Sequence, residues 1–277
     1  MGGAGLDLDV LRGIRRGGVD LTTLRERVAG HLEAWEGYVA FSGGKDSLVV
    51  LDLARQVDPA VPVVFFDSGL EFPETYRYLE ELTRRWRLNL EVIPADPSLL
   101  EVLVGGGRWD HHAPTPSSRG ERLHEVLISR PAAIAHDRHG PGELWGVRSG
   151  ESAGRRVTYA AALAGTECRC DPGCGTPAER RTRHGGVIER QDETVAFGPI
   201  WDWPTGLVWG HIARHRLPTN PVYEVLQRIG APEHAVRVSH LLDGNGLEEG
   251  RITWLRRGWP GLFDELAAVV PRIREFV

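Results

Sequence analysis

Three short apolar runs alternate with two helical stretches between residues 38 and 96, and this alternation limits the possible folds more than any other feature of the chain. Tyr38–Phe41, Val61–Phe66 and Leu90–Ile93 have the length and the β-branched or aromatic content of strands. Leu48–Val57 and Pro73–Arg87 carry helical spacing, the second with proline in its first turn, where a missing N–H is harmless. Buried runs separated by helices indicate a parallel sheet covered on both faces. Leu144–Val147 and Thr194–Phe197 predict a fourth and a fifth strand. Leu21, Leu24, Val28, Leu32 and Trp35 predict a lead-in helix; further helices are expected around Ser118–His139, interrupted at Pro131, and over Leu207–His215.

The expected fold is therefore α/β: an open parallel five-stranded sheet with helices on both faces and a small helical C-terminal subdomain. The 277 residues suffice for one large domain with such an appendage. The divisions expected are an N-terminal segment with its lead-in helix (1–37), the sheet domain (38–217) with a polar insert at 165–192, and the subdomain (218–277). Residues 104–120, rich in Gly, Pro, His and Ser, read as a long active-site loop. Its adjacent His111 and His112 diverge, which suits a solvated or substrate-facing loop better than a metal pair.

Lys45 is the only lysine; every other residue in the Lys+Arg total of 33 is arginine. It stands in Ser42-Gly43-Gly44-Lys45-Asp46-Ser47, directly after the first predicted strand. A compact ammonium fits between phosphate oxygens where a broad guanidinium does not. A glycine turn between strand and helix lets the backbone approach an anion, and the helix dipole adds positive potential there. Ser42 and Ser47 supply hydroxyls. Asp46 would repel phosphate, so its expected task is to orient the loop or to help hold Mg2+. Asp67, Ser68 and Gly69 end the second strand, and ligands of open parallel sheets collect at these carboxyl ends. Arg148 ends the fourth strand and is a candidate clamp for phosphate or substrate, against a structural pairing with Glu151 or Asp67. The lysine and arginine predict catalysis by charge stabilisation.

The net charge of −5 argues against a protein that coats nucleic acid unaided. Arg84-Arg85 suits a solvated helix face, whereas Arg155-Arg156 and Arg180-Arg181-Arg183 lie near the cysteines and are placed to face an anionic substrate. No apolar stretch reaches bilayer length and no signal-like segment is visible at the start, so a cytoplasmic location without membrane contact is expected.

The segment Ser42–Ser47 is not a Walker A loop. It resembles the PP-loop of the ATP pyrophosphatases, which split ATP between the α and β phosphates. Asp67-Ser68-Gly69-Leu70-Glu71-Phe72-Pro73-Glu74-Thr75 resembles the Asp-Thr-Gly…Phe-Pro-Glu-Thr segment of the phosphoadenosine phosphosulfate (PAPS) reductase family. Gly146-Val147-Arg148 with Glu151, Ser152 and Arg155, then Pro199-Ile200-Trp201 and Leu217-Pro218…Asn220-Pro221-Val222-Tyr223, are similar to further segments of that family. The resemblance implies a Rossmann-like (HUP-type) fold and ATP with Mg2+ in the site. It implies nucleotide contacts from Ser42, Gly43, Gly44, Lys45, Asp46, Ser47, Asp67, Ser68, Gly69, Glu74 and Arg148, with Lys45, Asp46 and Arg148 catalytic. Asp67 and Glu74 are candidates for the ribose or a magnesium ion, against roles as a turn residue and a first-turn helix acid. Trp201 suits packing.

The thiol reductases of the family resemble one another in a Glu-Cys-Gly-x-His motif near the C-terminus, and some relatives carry an Arg-x-Gly-Cys. Here the last cysteine is Cys174, and Arg237-Val238-Ser239-His240 has no thiol. Cys168, Cys170 and Cys174 form one short cluster, unlike a disulfide framework. They would hold Zn2+ or an iron–sulfur cluster, with His184 as a fourth ligand, or relay sulfur beside Glu151 and Arg155, or have no task. The expectation drawn from these departures is an ATP pyrophosphatase that forms AMP and pyrophosphate to activate a substrate for sulfur transfer. The nearest likeness is the ATP pyrophosphatase component of bacterial DNA phosphorothioation, which implies a cysteine desulfurase, DNA-modification subunits and a homodimer as partners. The alternatives are a PAPS or adenylyl-sulfate reductase with relocated cysteines and a non-catalytic nucleotide-sensing subunit. A sulfate-activating subunit or a flavin-nucleotide synthetase would suit the same scaffold.

Overall fold

The computed structural model describes residues 20–105, 123–169, 175–238 and 251–277. Its centre is one six-stranded sheet of β1 (Gly37–Ala40), β2 (Pro62–Asp67), β3 (Asn89–Pro94), β4 (Gly142–Trp145), β5 (Val187–Glu189) and β6 (Val195–Phe197), in the order β3-β2-β1-β4-β6-β5. The five strands expected from the sequence are all present and mutually parallel. The sixth, β5, comes from the polar insert and pairs antiparallel with β6, Val187 opposite Phe197 and Glu189 opposite Val195.

Alternation within the strands decides which side chains meet which helices. Val39, Phe41, Val63, Phe65 and Leu90 join one core face with α1 (Leu21–Ala34), α2 (Lys45–Val57) and α3 (Pro73–Trp86). Tyr38, Ala40, Val64, Phe66 and Ile93 face the other way and pack on Ala135. That residue lies in α5 (Arg130–His139), which follows α4 (Leu99–Gly105) in the described chain. Helices thus cover both faces. The stretch before α5 is a π-turn, Glu125–Ser129, in which the Arg130 N–H reaches Glu125 O. The helical run continues from residue 123 through Pro131 to His139 with Ser129 and Arg130 at helical dihedrals, so the interruption expected at Pro131 is absent; the π-turn just before it is where the hydrogen-bond ladder adjusts to the missing N–H.

After β4 the chain forms α6 (Ala153–Arg169) and α7 (Pro177–His184), and after β6 it forms α8 (Thr205–His215). The last helices are α9 (Val222–Arg228), α10 (Arg251–Gly258) and α11 (Pro260–Val269). They build a second apolar cluster of Tyr223, Leu226, Ile252, Leu255, Trp259, Phe263 and Leu266, which α4 joins through Leu99 and Leu103. Among the described residues, no helix is long and apolar enough to cross a membrane.

Candidate functional site

From β1 the chain runs outward through β2 to β3, then returns to place β4 on the other side of β1. That reversal opens a crevice at the carboxyl ends of β1 and β4, the position where open α/β sheets bind ligands. Ser42–Ser47 follows β1 there, and Gly146-Val147-Arg148 follows β4.

The loop owes its shape to its own residues. Gly43 takes φ of +72°, a conformation that costs a residue with a side chain, and a Cβ there would lie 3.3 Å from Thr75. Ser42 N–H donates to Ser47 Oγ (3.2 Å), the two serine hydroxyls lie 3.1 Å apart, and Ser47 Oγ donates to Gly44 O (3.1 Å). Gly44 caps α2 without any side-chain cap, which leaves the helix's first amides to other partners. The Lys45 N–H finds the Tyr223 hydroxyl at 2.8 Å. Burial pushes the Tyr223 phenol up, so it stays protonated and accepts this bond as a neutral group. Asn220, 1% exposed, donates from Nδ2 to Thr75 Oγ1 (3.1 Å) and lies 3.5 Å from Gly43 O.

Charge is arranged around Asp46. Its Oδ2 accepts from Lys45 Nζ at 2.6 Å and its Oδ1 from Arg148 Nε at 2.7 Å. Asp46 thus links the loop lysine to the arginine that follows β4. Arg148, expected to clamp phosphate, is only 4% exposed and its donors are already engaged. Besides Asp46, it donates to Trp203 O (2.8 Å) and Thr205 Oγ1 (3.4 Å). Its backbone N–H donates to Glu151, and Glu151 also receives Arg155. Of the two structural pairings foreseen for Arg148, the one with Glu151 is present and the one with Asp67 is not. Gly146 lets β4 approach this closely: a Cβ there would stand 2.5 Å from Ser47 N.

Asp67 Oδ1 accepts from Gly69 N–H and Tyr76 OH, both at 2.8 Å, which closes the turn after β2. Ser68 Oγ donates to Glu71 Oε1 at 2.7 Å. Burial, first of all, raises the Glu71 carboxyl to about 7. Glu74, expected at the ribose or a magnesium ion, instead accepts from Trp259 Nε1 (3.0 Å) and pairs with Arg77. That carboxylate joins α3 to the C-terminal helices. Trp201 packs, as expected: it is 6% exposed, contacts the Tyr159 ring and lies beneath the Arg181 guanidinium.

Cys168 lies in the last turn of α6, whereas Cys170 and Cys174 fall outside the described residues, as do His111, His112, Ser239 and His240. His184, the suggested fourth ligand, ends α7. Thr75, Gly146, Asn220 and Tyr223 hold the loop yet were not singled out as site residues. All four lie in the quoted segments of likeness, and that was the available signal.

The phosphoadenosine phosphosulfate reductase domain model matches residues 36–232. A phosphoadenosine 5'-phosphosulfate reductase of Alkalilimnicola ehrlichii is 31% identical over 237 residues, covering 84% of this chain and 83% of the relative. One from Xanthomonas campestris pv. campestris is 29% identical over 223 residues, covering 79% of this chain and 78% of the relative. Among solved structures, the phosphoadenylyl-sulfate reductase of Candida auris superposes with a TM-score of 0.46 at 16% identity, covering 77% of this chain and 88% of that one. The family model and the curated relatives correct the expectation of an ATP pyrophosphatase serving DNA phosphorothioation. The curated relatives that span most of the chain are named as reductases, and that favours the alternative.

Proposed function

The chain belongs to the phosphoadenosine phosphosulfate reductase domain family, and from that premise we propose that it reduces a sulfated adenine nucleotide to sulfite. The nucleotide, phosphoadenosine phosphosulfate or adenylyl sulfate, lies with its phosphates on Ser42–Ser47. The carrying observation is the double salt bridge of Asp46. When phosphate draws Lys45 Nζ away, Asp46 keeps the buried Arg148, so the ammonium is released without stranding a carboxylate. The α2 N-terminus adds its own positive potential beside the same phosphate.

The reaction is sulfonyl transfer to thiolates. A thiolate attacks the sulfonyl sulfur; the bond from sulfur to the bridging phosphate oxygen breaks, and the nucleotide departs with that electron pair. Lys45 stabilises the charge growing on the departing phosphate. A second thiolate then attacks the sulfur of the first, sulfite leaves with the bonding pair, and a disulfide remains for an external dithiol to reduce. Cys168, Cys170 and Cys174 are the thiols of this chain, and two of them carry these two roles.

Incubation of the full chain with the sulfated nucleotide and a dithiol, with sulfite and free nucleotide measured, tests the reading. We expect one sulfite per nucleotide freed. Lys45→Ala should lower kcat/KM by about 100-fold, and Lys45→Arg should fail to restore it. Replacing the three cysteines with serine should abolish sulfite while nucleotide binding persists. Tight nucleotide binding by the unaltered chain without any sulfite would remove the reductase reading.

A further inference from the structure

Two helical turns past the glycine loop, α2 carries Asp52, and the facing helix α8 carries His211 and His215. Among the described residues these three offer one ligand atom each, all within 4.8 Å of one another. His211 Nε2 lies 2.8 Å from Asp52 Oδ2, with the histidine side chain 1% and the aspartate side chain 13% exposed. The imidazoles of His211 and His215 stack at 4.1 Å with 20° between their planes. His215 Nε2 is buried and has no hydrogen-bond partner, an arrangement that proteins ordinarily avoid. The carboxylate is itself oriented: Gln56 Nε2 donates to Asp52 Oδ2 (2.8 Å), and Arg25 Nε donates to Gln56 Oε1 (2.7 Å).

Histidines four residues apart share one face of a helix, and the same spacing recurs among zinc ligands. An acid from a second helix, fixed by an outer hydrogen bond, completes a three-ligand set of the kind that Zn2+ takes with water in its fourth position. We propose that Asp52, His211 and His215 form a transition-metal site of the Zn2+ class at the contact of α2 with α8. The ion replaces the proton shared by His211 and Asp52 and gives the orphaned His215 nitrogen a partner. Tetrahedral coordination at zinc–ligand lengths near 2.0 Å sets donors roughly 3.3 Å apart. His211 and Asp52 need only part slightly, and the half-buried His215 must turn out of its stack on His211 to aim Nε2 at the same ion. The site lies about 10 Å along α2 from Lys45, so it is separate from the nucleotide loop. Bound metal ties α8 to the helix whose first turn forms that loop.

The thiols would compete for metal, so the test uses the full chain carrying Cys168→Ser, Cys170→Ser and Cys174→Ser, freed of metal by chelator. Zn2+ is titrated against a chromophoric chelator, and the visible spectrum of Co2+ reports coordination. The proposal expects about one Zn2+ per chain, a tetrahedral Co2+ spectrum free of thiolate charge transfer, and a Tm that rises with Zn2+. His215→Ala, at a partly exposed position, should weaken Zn2+ by at least about tenfold and remove the Tm response. Asp52→Asn should do the same with circular dichroism unchanged. Zn2+ affinity equal in parent and His215→Ala, or no Zn2+ bound by the parent, would overturn the site and leave a buried His–Asp hydrogen bond.

Discussion

Asp46 faces two cations of unequal burial, and on the proposed function the difference divides their tasks: the more buried Arg148 stays while Lys45 turns to phosphate. In Arg148→Gln the carboxylate would keep only Lys45, which would then be held away from phosphate. Breaking a buried pair typically costs about 3 kcal/mol or more, so a comparable stability loss is expected in denaturant titrations, with weaker nucleotide binding at a temperature where the variant is folded. Asp46→Asn combined with Arg148→Gln should recover part of that stability; purely additive losses would show that the bridge carries no coupling. Glu71 makes a separate residue-scale prediction. Its carboxyl is raised to about 7 when folded, so between about pH 4.5 and 7 the folded chain binds more proton than the unfolded one. Its contribution to stability is present at low pH and is lost as pH rises through 7. The side chain is half-buried, so the effect is on the order of 1–2 kcal/mol. Glu71→Gln should be the more stable protein at pH 8 by that amount, with the advantage shrinking toward pH 4.5. A constant difference across that range would mean that Glu71 is ionised throughout.

At the scale of elements, Gly146 sets how closely the end of β4 lies against the start of α2. Its absent side chain leaves room for backbone atoms: a Cβ would meet Ser47 N at 2.5 Å and Ser47 Cα at 2.8 Å. Neither can swing aside as a side-chain tip would. Gly146→Ala should therefore cost about 2–3 kcal/mol by overpacking and pull the loop out of register with Arg148. Calorimetry and nucleotide titration read the two effects, and an alanine variant with unchanged Tm would contradict the close approach. The strands and helices themselves were legible because each has a period or a length that composition cannot hide. Leu90–Ile93 and Thr194–Phe197 announce themselves within four residues, and Pro73 marks the start of α3. β5 escaped notice because Val187–Glu189 is three residues long in a polar stretch and is a strand only through its pairing with β6. The glycine loop was readable from Gly43 and Gly44, and the φ of +72° at Gly43 is a conformation that demands glycine. Its clamp was not, because Tyr223 lies 178 residues from Lys45 and is brought there by packing. The same long-range packing brings Arg148 to Asp46 and Trp203, and Glu74 to Trp259.

Across the whole molecule, the loop is fixed by the sheet from below and by the C-terminal helices from the side. Tyr223 belongs to the C-terminal apolar cluster together with Val222 and Leu226, so the order of that cluster is transmitted to the Lys45 amide. What holds the cluster near the sheet domain includes Trp259, whose ring sits 4.4 Å from Phe72 and whose Nε1–H donates to Glu74. Trp259→Phe would keep most of the apolar contact and delete the hydrogen bond to a carboxylate, a loss of about 1–2 kcal/mol. That loss falls on the C-terminal cluster, where local opening competes with global unfolding. Amide exchange should therefore accelerate over α9 and α11 while β1 and β2 keep their protection. Each opening also withdraws Tyr223 from Lys45, so nucleotide affinity should fall a few-fold although Trp259 is bonded to no loop residue. Faster exchange spread evenly over sheet and helices alike, with affinity unchanged, would show that the C-terminal helices stabilise the molecule without governing its loop.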